Sequence, residues 1–145
     1  MARMVLVLKR LTTLRKSVLD IIDSSSAPLS ADNIHGKLQA RPDLSSVYRS
    51  LSFLEERGLI RSVSFECDTR YYFGAGKEPV HFIHCKRCHR TESFRGCFAA
   101  ELEESIRDDH DFTITDHVFY FIGICGDCKR KMIEELEGGK LSEDL

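Results

Sequence analysis

Three amphipathic helical stretches and two short strands fill about the first 75 residues, and two Cys-x-x-Cys pairs stand 36 residues apart in the remainder. Together they predict an α+β protein. Residues 1–76 read as a winged helix-turn-helix, and residues 77–145 as a small α/β domain closed by a four-cysteine site. A chain of 145 residues suits two such domains. No apolar run approaches the roughly 20 residues of a membrane span. The opening Met-Ala-Arg-Met-Val-Leu-Val-Leu offers too short an apolar stretch for a signal peptide, with no cleavage site after it. The expected location is therefore cytoplasmic, with no membrane and no small-molecule substrate as partner. Leu, Ile, Val and Phe are plentiful and Pro and Gly are not, which excludes a disordered chain.

In the first half, Leu11, Leu14, Val18 and Ile21 recur at three- and four-residue spacing and share one helix face. Ser24-Ser25-Ser26-Ala27-Pro28 ends that helix. Ser30 stands where an N-cap belongs, ahead of a short second helix carrying Ile34 and Leu38. Pro42 disfavours helical backbone in Arg41 and stops it. A third helix is predicted from about Ser45 to Arg57, with Gly58 as its stop. Strands at Ile60–Phe65 and Arg70–Phe73 follow, joined by a turn around Glu66-Cys67-Asp68-Thr69.

The formal net charge of −2 argues superficially against a nucleic-acid partner, but it is unevenly distributed. Residues 1–76 hold 11 basic and 8 acidic side chains, residues 77–145 hold 10 and 15. Arg3, Lys9, Arg10, Arg15 and Lys16 all precede the first acid, Asp20. Basic side chains that neutralise phosphates release condensed counterions and favour binding. In the third helix Val47, Leu51 and Leu54 form an inward face, and Ser45, Ser46, Tyr48, Arg49 and Ser52 lie opposite. Short hydroxyls and a long guanidinium near the N-terminal end of a helix suit entry into the major groove of double-stranded DNA. A solvated face on a protein-binding winged helix is the alternative.

Cys85, Cys88, Cys125 and Cys128 form the two pairs; Cys67 and Cys97 stand alone. Two residues between cysteines let both thiolates face one metal, and two such turns close a tetrahedron suited to structural zinc. Lys86, Arg87, Lys129, Arg130 and Lys131 would offset the negative charge of that site. Disulfides, a single redox pair and an iron–sulfur cluster are the rivals. Between the pairs a helix is expected over Phe98–Arg107, then an apolar strand over 117–124. A strand apolar on both faces needs cover on both sides. A second copy of the chain would supply one cover, so a homodimer is expected.

With Asp43-Leu-Ser-Ser-Val-Tyr-Arg-Ser-Leu51, Cys85-x-x-Cys88 and Gly123-Ile-Cys125-x-x-Cys128 after a strand containing His117, the chain resembles the ferric uptake regulator (Fur) family of metal-dependent bacterial repressors over roughly residues 10–131. The resemblance implies an N-terminal winged helix on DNA and a C-terminal dimerisation domain. It implies that Tyr48 and Arg49 contact DNA, that Arg10 and Arg15 lie near its backbone, and that the four cysteines hold zinc. Family members carry a histidine-rich run before the first pair and an acidic or other ligand at the end of the wing. Here the run is Val80-His81-Phe82-Ile83-His84, the wing ends in Phe73, and Pro28 precedes the second helix. The site joining the two domains is therefore expected to be largely stripped of ligands. A second site survives at His81 and His117, with Glu101 one residue from the expected carboxylate. His84, Cys97, Cys67 and His110 are alternative donors. Imidazoles and a carboxylate accept zinc, iron(II) or manganese(II) alike.

The expectation is a non-enzymatic, homodimeric, metal-responsive regulator, a repressor of metal-uptake or metal-homeostasis genes acting on palindromic operators. Metal state would set whether the dimer's two Tyr48–Arg49 helices match half-sites about one DNA turn apart, or a multiple. Its rivals are a peroxide sensor of the same family, a Cys-x-x-Cys thiol oxidoreductase, and a zinc-stabilised interaction module.

Overall fold

A computed structural model describes residues 8, 10–76 and 80–140. Arg3 and Lys9 of the basic segment, and the expected junction at residue 77, lie outside them. The chain divides into two compact units, Met1–Glu78 and Pro79–Leu145.

The first unit runs α1 (Thr13–Asp23), β1 (Leu29–Ser30), α2 (Ala31–Lys37), α3 (Leu44–Glu56), β2 (Ile60–Ser64) and β3 (Arg70–Gly74). Local sequence sets its boundaries. The Thr12 side chain caps α1, and Ser30 with Asn33 forms a reciprocal capping box at α2. Asp43 caps α3 by accepting from the Ser46 N–H. At the other end of α3, the Gly58 N–H donates to Glu55 and the Leu59 N–H to Leu54, at 2.9 and 3.0 Å. That pairing needs a left-handed residue, which Gly58 supplies with φ +69°.

Val18, Leu19 and Ile22 of α1, Ile34 of α2, and Val47, Leu51 and Leu54 of α3 bury together with Ile60 and Tyr72. Leu11 joins this core from outside the helix expected to hold it, and Ile21 is only partly buried, so the inward face of α1 is turned towards Leu19 and Ile22. The sheet has the order β1-β3-β2, all antiparallel, with Ile60 opposite Gly74 and Ser64 opposite Arg70. Glu55 ties α3 to this wing by accepting from Ser62 of β2 and pairing with Arg70 of β3 at 3.7 Å.

The second unit runs β4 (His81–Cys85), β5 (Thr91–Phe94), α4 (Ala99–Asp109), β6 (Tyr120–Gly123) and α5 (Gly126–Lys140). Its sheet has the order β5-β4-β6; β4 and β5 are antiparallel, β4 and β6 parallel. The strand expected over 117–124 is shorter than its apolar run, since only Tyr120–Gly123 find ladder partners on β4. No residue of α4 is buried, and Phe98, Leu102, Val118, Phe121, Ile133 and Leu136 are exposed on the single chain. Among the described residues no helix is long and apolar enough to cross a membrane.

Candidate metal centres and nucleic-acid interface

Parallel pairing of β4 with β6 brings the two cysteine pairs together. Its register sets Cys85 opposite Gly123, so the chain leaves both strands at one end of the sheet with a cysteine pair on each. The Lys86 N–H donates to the Gly123 carbonyl at 3.0 Å and locks this end. Cys88 follows in a tight turn whose His89 N–H donates to Cys85 O at 2.8 Å, and Cys128 sits in the first turn of α5. All four sulfurs lie within 4.8 Å of one another, and Cys88 Sγ is 3.7 Å from Cys125 Sγ. Thiolates 2.3 Å from one ion at the corners of a tetrahedron lie about 3.8 Å apart, so the donor set fits a four-coordinate metal.

The electrostatics agree with that fit. Backbone N–H groups of Cys88 and Cys125 aimed at Cys85 bring its thiol down to about 6. Burial, and then the neighbouring sulfurs, push Cys128 up to about 12. Four clustered sulfurs cannot all ionise unaided, and a divalent cation removes that obstacle by stabilising every thiolate. Of the basic residues expected to offset the charge, Arg87 makes a two-pronged contact to Glu135 of α5 at 2.8 and 3.0 Å. Arg130 pairs instead with Asp127. Arg90, not singled out in the sequence, is the guanidinium raised chiefly by Cys125, and it also binds Asp127 at 2.9 Å.

The opposite end of β4 carries a second cluster. Four strand steps of about 3.3 Å place His81 about 13 Å along the strand from Cys85. His81, Cys97 and His117 each present a donor atom within 4.8 Å of the others. The His81 and His117 rings stack at 5.3 Å. His81 is 2% exposed, and neither ring nitrogen has a hydrogen-bond partner. An unpaired buried polar group costs about 1–3 kcal/mol, a penalty that ligation would offset. The His117 ring lies between Cys97 Sγ, 3.3 Å from Nε2, and Glu103 Oε1, 2.8 Å from Nδ1. The cluster lines a cavity of about 500 Å³ whose other walls include Phe94, Leu102 and Phe119.

On α3, Val47 is fully buried while Tyr48 is 49% exposed and Ser45 is exposed beside it. The Arg49 guanidinium donates to Ser46 Oγ at 2.8 Å and lies 3.9 Å from Asp43, with 70% of its side chain exposed. It is held by weak surface contacts that a stronger acceptor can replace. Arg10 is exposed in the turn before α1. Arg15 stacks its guanidinium 3.6 Å from the Phe53 ring centroid of α3, so part of its role is packing. His35, given no role from sequence, bonds the Pro42 carbonyl at 2.8 Å and anchors the turn between α2 and α3.

The sequence model described as the Ferric uptake regulator family matches residues 8–122. The chain belongs to the ferric uptake regulator family. That family consists of transcriptional regulators, not enzymes. The chain is 33% identical over 97 residues to the ferric uptake regulation protein of Campylobacter jejuni, a match covering 64% of this chain and 62% of that protein's length. It is 26% identical over 126 residues to the peroxide operon regulator of Bacillus subtilis, covering 84% and 86%. In fold it is similar to the Helicobacter pylori ferric uptake regulator, with a TM-score of 0.73 at 22% identity over 88% of this chain and 90% of that one. That structure is described as revealing three functional metal binding sites.

In this ferric uptake regulator family chain, His81 and His117 come together, but the carboxylate beside them is Glu103, not Glu101. Glu103 precedes Ile106 by three residues and shares its side of α4, whereas Glu101 is turned to solvent. The spacing to Ile106 was the available signal. Pro28 is buried at the entry to β1, and the wing extends one residue past Phe73, to Gly74. Of the other expected donors, His84 bonds Thr91 Oγ1 at 2.7 Å, and Cys67, in the first unit, bonds the Thr69 carbonyl at 3.6 Å.

Proposed function

We propose that this chain is a metal-responsive, DNA-binding transcriptional regulator, acting as a homodimer and repressing metal-uptake or metal-homeostasis genes at palindromic operators. The observation that carries this reading is the buried, unpartnered imidazole of His81 in a donor cluster, on a chain whose other unit displays Ser45, Tyr48 and Arg49 on α3. Residues 1–76 are the DNA-reading unit; residues 77–145 are the dimerisation and metal-binding unit. Zinc on Cys85, Cys88, Cys125 and Cys128 holds the latter together. The exposed Phe121, Ile133 and Leu136 support a second copy as cover. Tyr48 and Arg49, with Ser45 and Ser46, reach base edges and phosphates, and Arg10 and Arg15 add positive charge nearby. The cytoplasm, where metal and promoter are both present, is the matching location.

A divalent ion at His81 and His117 supplies positive charge that couples metal availability to DNA affinity, provided the metal-bound protein binds DNA more tightly. The test is an anaerobic titration of zinc-loaded protein with zinc, iron(II) and manganese(II), read as binding to DNA upstream of its own gene. At least one metal is expected to tighten binding about 5–150-fold, the usual range of such couplings. No change with any of them would refute metal responsiveness. Release by peroxide in place of chelator would move the reading to a peroxide sensor.

A further inference from the structure

We propose that Cys97 is a thiolate ligand of the second centre, which makes it a three-ligand site of His81, Cys97 and His117 for a borderline-soft divalent cation, zinc above iron or manganese. The proposal rests on the reading that the His81–His117 cluster holds the responsive metal. It adds which residues ligate that metal and which metal they select.

Three features converge on Cys97. Gly96 adopts φ +109°, a conformation open to glycine and strained for other residues, at the bend before Cys97. The bend leaves Cys97 Sγ 3.3 Å from His117 Nε2. Nitrogen and sulfur ligands at ordinary zinc distances of about 2.0–2.1 and 2.3 Å are about 3.1–3.6 Å apart, so the pair already has ligand spacing. The Ala99 N–H, at the start of α4, donates to the same sulfur at 3.3 Å and helps hold it in place.

Glu103 then has a positioning role. By accepting from His117 Nδ1 it fixes the proton there and leaves the Nε2 lone pair facing Cys97. A carboxylate behind a ligating histidine fixes the orientation of the ring. His81 contributes the third donor from β4, its two nitrogens otherwise unpartnered. Three protein ligands leave one position for water or an exogenous ligand, unlike the closed four-cysteine centre. A thiolate with two imidazoles favours zinc and cobalt(II) over manganese(II), which prefers oxygen donors.

Cobalt(II) reports the ligand directly. Full-length protein with zinc in the four-cysteine centre is titrated with cobalt(II) while absorbance is followed. A second equivalent is expected to bind with a thiolate-to-cobalt charge-transfer band and intense tetrahedral d–d bands. Cys97→Ser should abolish the charge-transfer band while retaining one zinc per chain; Cys97 lies outside the buried core, so folding should persist. Glu103→Gln should keep the band and weaken binding about 10–100-fold. Cobalt bound through the histidines without the band would overturn Cys97 as a ligand and leave metal responsiveness standing. A band that survives Cys97→Ser belongs to the four-cysteine centre and also overturns it. No second equivalent at all would refute both readings.

Discussion

Cys88→Ser is expected to lose its zinc and unfold the C-terminal unit while leaving the N-terminal unit folded. The contrast follows from what each unit buries. The N-terminal unit has a continuous core of twelve buried residues from three helices, the residues flanking two of them, and the wing. In the C-terminal unit the buried apolar residues among those described are Phe82 and two of the four clustered cysteines, Cys85 and Cys128. So thin a core cannot offset the chain entropy of ordering 60 or so residues, about 1–2 kcal/mol each for the backbone alone. Structural zinc in small peptides binds with about 10–16 kcal/mol, comparable to the whole net stability of a domain at about 5–15 kcal/mol. Serine at position 88 leaves three sulfurs that cannot close the tetrahedron. Metal analysis should fall from one structural zinc per chain to none, and sedimentation should report monomer. Helical signal from residues 13–56 should survive. A stable, zinc-free dimer would refute the structural role of the four cysteines.

Arg49→Ala should remove specific DNA binding without altering zinc content or dimerisation. A bidentate guanidinium contact to a base discriminates by about 1–3 kcal/mol. A palindromic site uses it twice, so the dimer loses about 2–6 kcal/mol, or roughly thirty- to twenty-thousand-fold in affinity. The substitution is mild for the fold, because the Arg49 side chain is 70% exposed and its partners Asp43 and Ser46 keep the helix cap through the Ser46 N–H. Fluorescence anisotropy on specific and scrambled duplexes at fixed salt separates the two contributions. The specific complex should weaken towards the scrambled one, with non-specific affinity falling little. Undiminished specific binding would remove Arg49 from the recognition surface.

Much of the N-terminal unit was legible because its signals are local. Ser30 caps α2 through Asn33 three residues away, and Gly58 ends α3 through bonds to Glu55 and Leu54. The four-cysteine centre was legible for the same reason: each pair is a local turn, and chemistry requires the pairs to meet. β4 and β5 were not legible, since His81–Cys85 shows no clean alternation and pairs in parallel with a strand some 38 residues on. α5 was not foreseen either, because its exposed Met132, Ile133 and Leu136 form too short an apolar stripe in a charged segment. The second centre shows the same limit. His81 and His117 were marked by chemistry, but choosing Glu103 over Glu101 depends on the rotation of α4, for which the three-residue spacing to Ile106 is the one signal in sequence. Cys97, one donor among several in sequence, lies beside His117 only because Gly96 bends the chain there.

In the proposed regulator one metal centre and one DNA-reading helix share an equilibrium. Linkage makes it measurable from the metal side: if metal tightens DNA binding by a factor, DNA must tighten metal binding by the same factor. The decisive measurement is the affinity of the second centre for zinc, buffered by a chelator, with and without saturating DNA from upstream of the gene. Coupling predicts a lower zinc Kd in the presence of DNA, by the factor found in the DNA titration. An identical zinc Kd with and without DNA would contradict it.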